Sequence, residues 1–206
     1  MTLGENVAEL LCSAHVSRIN FRCGPTRVWG AGYRHIAAAI QRRPTSGAVG
    51  HQHRVQVESN AHLAALGCGN YNENLGPNSV NKMMLPFSMM RSVQDRGVAV
   101  HEATHALQDW NGRPMSQADS ECAAYIAHMM YGFLATGGEF PLEVDGQLDM
   151  QALAVFQESW TVARRLATER GAHIVTDREQ RSIKAALRAF RPYRGAARVR
   201  VVYNGI

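Results

Sequence analysis

The chain has 206 residues, 46% of them hydrophobic and 19% charged, enough to close one sizeable core without a disulfide or a structural metal. No apolar run reaches the roughly 18 to 20 residues needed to cross a bilayer, so a membrane-spanning helix is excluded. Net charge is +5, and the excess is local: residues 163–206 hold eleven Arg or Lys against three acids, whereas residues 1–162 are net −3.

The first twenty residues, MTLGENVAELLCSAHVSRIN, carry acids where a secretory leader would be basic. The expectation is a cytoplasmic protein, or one exported without a cleavable leader. Leu3, Val7, Leu10, Leu11 and Ala14 share one helical face and predict a helix over residues 4–18; Tyr33, Ile36, Ala37 and Ile40 predict a second, ended by Pro44. His53, Val55 and Val57 then alternate with Arg54, Gln56 and Glu58, the period of a half-buried strand. Leu66 to Asn78, rich in Gly and Asn, reads as loop and turns alone, and Ser79 to Leu85 (SVNKMML) as a second strand closed by Pro86.

Ser92-x-x-Asp95 has the form of a helix start, and Val93, Val100, Ala103, Leu107 and Trp110 mark its apolar stripe until Asn111-Gly112 stops it. Ser116-x-x-Asp119 starts the next helix, which runs to Gly137-Gly138. Leu153, Phe156, Trp160, Ala163 and Leu166 predict another, ending at Gly171. Thr176-x-x-Glu179 caps the last, with Ile183, Leu187 and Phe190 inward and Pro192 as the stop, and Val199 to Tyr203 reads as a closing strand. The sum is a single α+β domain over residues 1–206 with a basic, mainly helical C-terminal section from 163. That section fits either a solvated arginine-rich surface or an anionic partner such as nucleic acid, lipid or acidic protein.

The four cysteines, Cys12, Cys23, Cys68 and Cys122, show no paired spacing, so no disulfide framework is expected. Cys12, His15 and Cys23 form a weak metal candidate beside the plainer reading of half-buried thiols. His51 and His53 at i, i+2 form another, beside the reading of polar strand-edge residues.

The segment Val98–Trp110, VAVHEATHALQDW, carries the chemistry. His101 and His105 are four residues apart on a helix, so both imidazoles leave one face a turn apart and can converge on one ion, with Glu102 beside them. About 0.02 HExxH matches are expected by chance from this composition, and both histidines lie off the apolar stripe. A catalytic zinc takes three protein ligands and keeps a fourth position open. The extended form HExxHxxGxxH would supply the third at position 111, but Gln108 and Asn111 stand where its glycine and histidine would be. The following helix offers Glu121 instead, with Asp119 and Glu139 as competitors. An N-terminal helical acid favoured by the helix dipole remains the plain reading of Glu121.

On His101, Glu102, His105 and Glu121, their two helices and the preceding strand, residues 79–136 resemble the gluzincin, thermolysin-like branch of the HExxH zinc metallopeptidases. The chain also resembles small bacterial zincin-like domains, some expected to be secreted effectors or toxins. The resemblance implies a zincin-like α+β fold with a small twisted sheet, an active-site helix and a glutamate helix. It further implies Zn2+ on His101, His105 and Glu121, a protein or peptide substrate, Glu102 as general base, and SVNKMML as a sheet-edge strand that pairs with substrate, although Met83 and Leu85 would serve an ordinary core strand equally well. The group commonly has an aspartate four residues after the ligand glutamate, buttressing the first histidine; Tyr125 stands there. Tyr125, His128, Tyr131 and Tyr203 are the candidates for stabilising an oxyanion. Two rival readings stay open: a zinc-binding interaction protein without turnover, and a binder of an anionic partner through the Arg-rich section.

Overall fold

Short capping sequences start most of the helices. Thr2, Ser92 and Thr176 each accept the backbone N–H three residues on, while Glu5, Asp95 and Glu179 reach back to the cap residue's own N–H, so donors that a first turn leaves unpaired are met reciprocally. The computed structural model describes residues 1–42, 54–64, 68–72, 80–140, 150–193 and 199–201. In chain order it holds α1 (Leu3–Leu11), α2 (Ala14–Ser17), β1 (Asn20–Cys23), β2 (Thr26–Trp29), α3 (Gly30–Gln41), β3 (Val55–Ser59), α4 (Ala61–Ala64) and β4 (Asn70–Asn72). There follow β5 (Asn81–Leu85), α5 (Val93–Asn111), β6 (Met115–Ser116), α6 (Gln117–Thr136), α7 (Met150–Thr168), α8 (Asp177–Ala189), a 3-10 turn at Arg191–Tyr193, and β7 (Arg200–Val201). The class is mixed α+β, dominated by helix. No helix among the described residues is long and apolar enough to cross a membrane.

α5 and α6 form the centre. α5 packs on α6, α6 on α7 and α7 on α8, while α1 and α3 pack together beside the sheet. α5 is buried almost all round, from Gly97 to Thr104 and from Ala106 to Asp109, so its sequence stripe understates its contacts: the face bearing the histidines is enclosed as well. Gly112 and Gly137 end α5 and α6 at φ 60° and 72°, left-handed caps that cost glycine no Cβ clash.

Several expectations need correction. The helix expected over residues 4–18 is two, because Ser13 caps a new helix through Val16 N–H. β1 and β2 form an antiparallel hairpin turning at Gly24-Pro25, Gly24 having φ 54°; no strand was expected there. The Gly/Asn tract is not loop throughout, since β4 pairs antiparallel with β5 at Asn70–Asn72.

The expected edge strand is central. β5 pairs parallel with β3 on one side and antiparallel with β4 on the other, and its Asn81, Met83 and Leu85 are buried, so both backbone edges are taken and it offers none to a substrate. The outer strand beside α5 is β4. It is anchored where the Tyr71 hydroxyl and Asn81 Nδ2 donate to Asp109 Oδ2 at 2.8 and 3.0 Å, which ties strand, strand and α5 at one buried carboxylate. Of the expected closing strand, Arg200–Val201 pairs with β6. Tyr203, His51 and His53 lie outside the described residues.

Candidate metal centre

α5 presents His101 and His105 one turn apart, and the first two turns of α6 bring Glu121 across to them. His101 Nε2 and His105 Nε2 are 3.2 Å apart; Glu121 Oε2 is 3.2 Å from the first and Oε1 3.7 Å from the second. All three residues place a ligand atom within 4.8 Å of the others, the one such group of three among the described residues. His101 and Glu121 are buried, and the His105 side chain is 12% exposed. Glu121 Oε2 is buried, and its 3.2 Å approach to His101 Nε2 lacks the geometry of a hydrogen bond. Leaving a carboxylate oxygen in that state is costly unless a cation takes it up, so the cluster is one that can hold a metal ion.

The charges agree with that use. Burial alone would push the Glu121 carboxyl up, but His105 and His101 beside it hold it well below the ordinary carboxylate range. Burial pushes the His105 imidazole down, and the Glu121 carboxylate outweighs it, lifting His105 to about 9. Protein groups alone thus satisfy the cluster by keeping a proton between imidazole and carboxylate, which is the position a cation would contest.

A second layer fixes which nitrogen of His105 faces the cluster. Gln108 Nε2 donates to the Ser120 carbonyl at 3.0 Å, which turns its Oε1 towards His105. That oxygen lies 3.0 Å from His105 Nδ1 and accepts from Ser120 Oγ at 2.7 Å, while Ser120 Oγ is also 3.0 Å from Nδ1. An amide oxygen only accepts, so Nδ1 carries the hydrogen and the Nε2 lone pair of the neutral ring is left for a ligand. The residue that breaks the extended HExxHxxG pattern, Gln108, is the one that orients His105.

Glu102 lies beside the ligands and is 4% exposed. Burial raises its carboxyl above the usual range, against the pull of His101, His105 and a bond from the Tyr71 backbone, the direction that suits a base working near neutral pH. Gly69 allows this approach: a Cβ there would lie 2.6 Å from Glu102 Cγ and Oε1. A cleft of about 270 Å³ opens in front of Glu102 and the ligands, walled by β4 on one side and by Tyr193 and Val201 on another.

The other sequence candidates fall in different places. Tyr125 meets His101 with its ring, centroids 4.7 Å apart, and its hydroxyl turns to Tyr193 at 3.4 Å; it supports the imidazole by packing, not as a hydrogen-bond acceptor in place of the aspartate. His128 lies between α6 and α5, bonded to Gln94 Oε1 at 3.2 Å, and burial followed by His101 drives its imidazole down to about 3, so it stays neutral and away from the cleft. Tyr131 faces His15 in a different cavity. Asp119 is paired with Lys184 and Ser116, and exposed Glu139 follows the end of α6; neither joins the cluster. Cys12 is exposed and Cys23 buried, and they form no metal-ligand group with His15.

Sequence reasoning missed Gln108 with Ser120, Gly69 with Tyr71, and Tyr193. Gln108 was within reach, three residues beyond His105 on the same helix. Tyr193 carried no signal, since only the packing of the 3-10 turn brings it to the cleft. Comparison of the chain with protein-family models, curated proteins and solved structures finds no match.

Proposed function

We propose that this chain is a zinc-dependent endopeptidase of the gluzincin kind, with a zincin-like fold around α5 and α6. The observation that carries the reading is a buried carboxylate, Glu102, standing beside a three-ligand cluster at the head of an open cleft. A purely structural site has no use for it. Ligand atoms about 2.1 Å from a tetrahedral zinc sit roughly 3.4 Å apart, and the separations here are 3.2, 3.2 and 3.7 Å. Two imidazoles and one carboxylate also match a zinc site that keeps a position free for chemistry.

His101, His105 and Glu121 would hold the ion, which supplies Lewis acidity that makes a water nucleophilic near neutral pH and polarises a carbonyl. Glu102 takes the proton of the attacking water and passes it to the leaving amine. Gln108 and Ser120 keep His105 in its ligating tautomer. Tyr193 remains a protonated phenol, because burial and then the Glu121 carboxylate raise it well above the usual range, and from the cleft wall it donates to the oxygen that gains charge. The outer edge of β4, unpaired with any strand among the described residues, gives an extended peptide a backbone to pair with.

The test is metal content by elemental analysis of purified protein, followed by cleavage of unfolded casein with and without chelator. The reading expects about one zinc per chain and chelator-sensitive cleavage. Tyr193→Phe should lower kcat by about 10- to 1000-fold with zinc retained. A protein that binds no metal in its purified form would contradict the reading.

A further inference from the structure

Cys23 ends β1, and Cys122 follows Glu121 on α6. They are 99 residues apart in sequence, yet their sulfurs lie 3.7 Å apart and the two residues are 2% and 0% exposed. Cys12 and Cys68 are exposed and belong to no such pair. The contact sits where the hairpin meets the start of α6: Thr26, the strand partner of Cys23, donates its hydroxyl to Met115 Sδ at 3.5 Å. The hairpin is itself held from the far side, where Arg22 exchanges backbone hydrogen bonds with His173 and Val175. Two elements fixed by other contacts thus bring two sulfurs into contact, within reach of the roughly 2.0 Å that a disulfide requires.

We propose that Cys23 and Cys122 are a cross-linking pair that joins the β1–β2 hairpin to α6 by a disulfide when the chain folds in an oxidising compartment. The oxidant is a low-molecular-weight disulfide such as oxidised glutathione. One cysteine sulfur displaces a glutathione thiol to give a mixed disulfide, and the other displaces the second glutathione. The Cys23–Cys122 bond forms, the glutathione disulfide breaks, and the two thiol hydrogens end on two reduced glutathiones. Because both sulfurs are sealed in the fold, the bond closes before the hairpin finishes packing on α6 and is afterwards screened from reductant. The link would hold the first turns of α6, and with them Glu121, against the hairpin. It does not rest on the peptidase reading, because the test below reads neither metal nor activity.

The experiment refolds the full chain from denaturant, once in a glutathione redox buffer and once in excess reductant, then unfolds and alkylates each sample for mass spectrometry. After oxidative refolding two of the four cysteines should escape alkylation, with one linked peptide pair containing Cys23 and Cys122. The oxidised protein should melt roughly 5–15 °C above the reduced one, and Cys23→Ala/Cys122→Ala should melt alike in both buffers. The variant Cys12→Ser/Cys68→Ser should keep the cross-link. If refolding in vitro fails, the same thiol count on chain exported to a bacterial periplasm serves. Four alkylated cysteines after oxidation, or a link through Cys12 or Cys68, would overturn the proposal.

Discussion

At the scale of single residues, the centre rests on a buried carboxylate held against two imidazoles and on an imidazole whose tautomer is set by its neighbours. Glu121→Ala should therefore remove most of the metal, while Asp119→Ala and Glu139→Ala should not, as elemental analysis of the three purified variants would establish. Gln108→Leu keeps the bulk of the side chain but removes the oxygen that accepts from His105 Nδ1. Metal affinity should fall about 10- to 100-fold, the usual cost of losing a partner of a ligating histidine, as read by competition with a chelating dye. Gly69→Ala acts on the proposed base instead, because the new methyl group would occupy the space of the Glu102 carboxylate. Cleavage should drop with metal content unchanged.

At the scale of elements, local chemistry was legible and long-range pairing was not. The three S/T-x-x-D/E caps read at Ser92, Ser116 and Thr176 start helices where the sequence places them because a cap acts within one turn, and Gly112 and Gly137 stop helices for the same reason. β4 was hidden because Asn-Tyr-Asn has the composition of a turn; its strand character comes from β5 and from the buried Tyr71–Asp109 bond. The central position of β5 was hidden likewise, since Asn81, Met83 and Leu85 alternate in one pattern whether a strand lies at an edge or between two neighbours. In the centre itself the two histidines and Glu102 were readable from spacing, and Glu121 from the helix that follows. Tyr193 was not, lying 72 residues beyond Glu121. Packing between elements makes its own prediction. A Cβ at Gly97 would lie 2.3 Å from the His128 ring, a side chain wedged between α5 and α6, so Gly97→Ala should destabilise the protein by about 1–3 kcal/mol in urea unfolding.

At the scale of the whole molecule, the basic C-terminal section is partly consumed inside the fold. Arg165 pairs with Glu179 at 2.6 Å and Lys184 with Asp119, so these charges hold α7, α8 and α6 together, while Arg178, Arg181 and Arg188 stay exposed on α8. The main core is apolar: residues such as Tyr33, Ile36, Leu107, Ile126 and Ile183 are fully buried. Chelation should accordingly abolish cleavage while far-UV circular dichroism stays that of a folded protein.

The measurement that bears most directly on the account is the pairing of zinc content with hydrolysis in Glu102→Gln. The amide keeps the size of the side chain but cannot take a proton near neutral pH, so the account predicts about one zinc per chain with cleavage of casein reduced at least 10²- to 10⁴-fold. Wild-type cleavage by a zinc-loaded Glu102→Gln protein would contradict it.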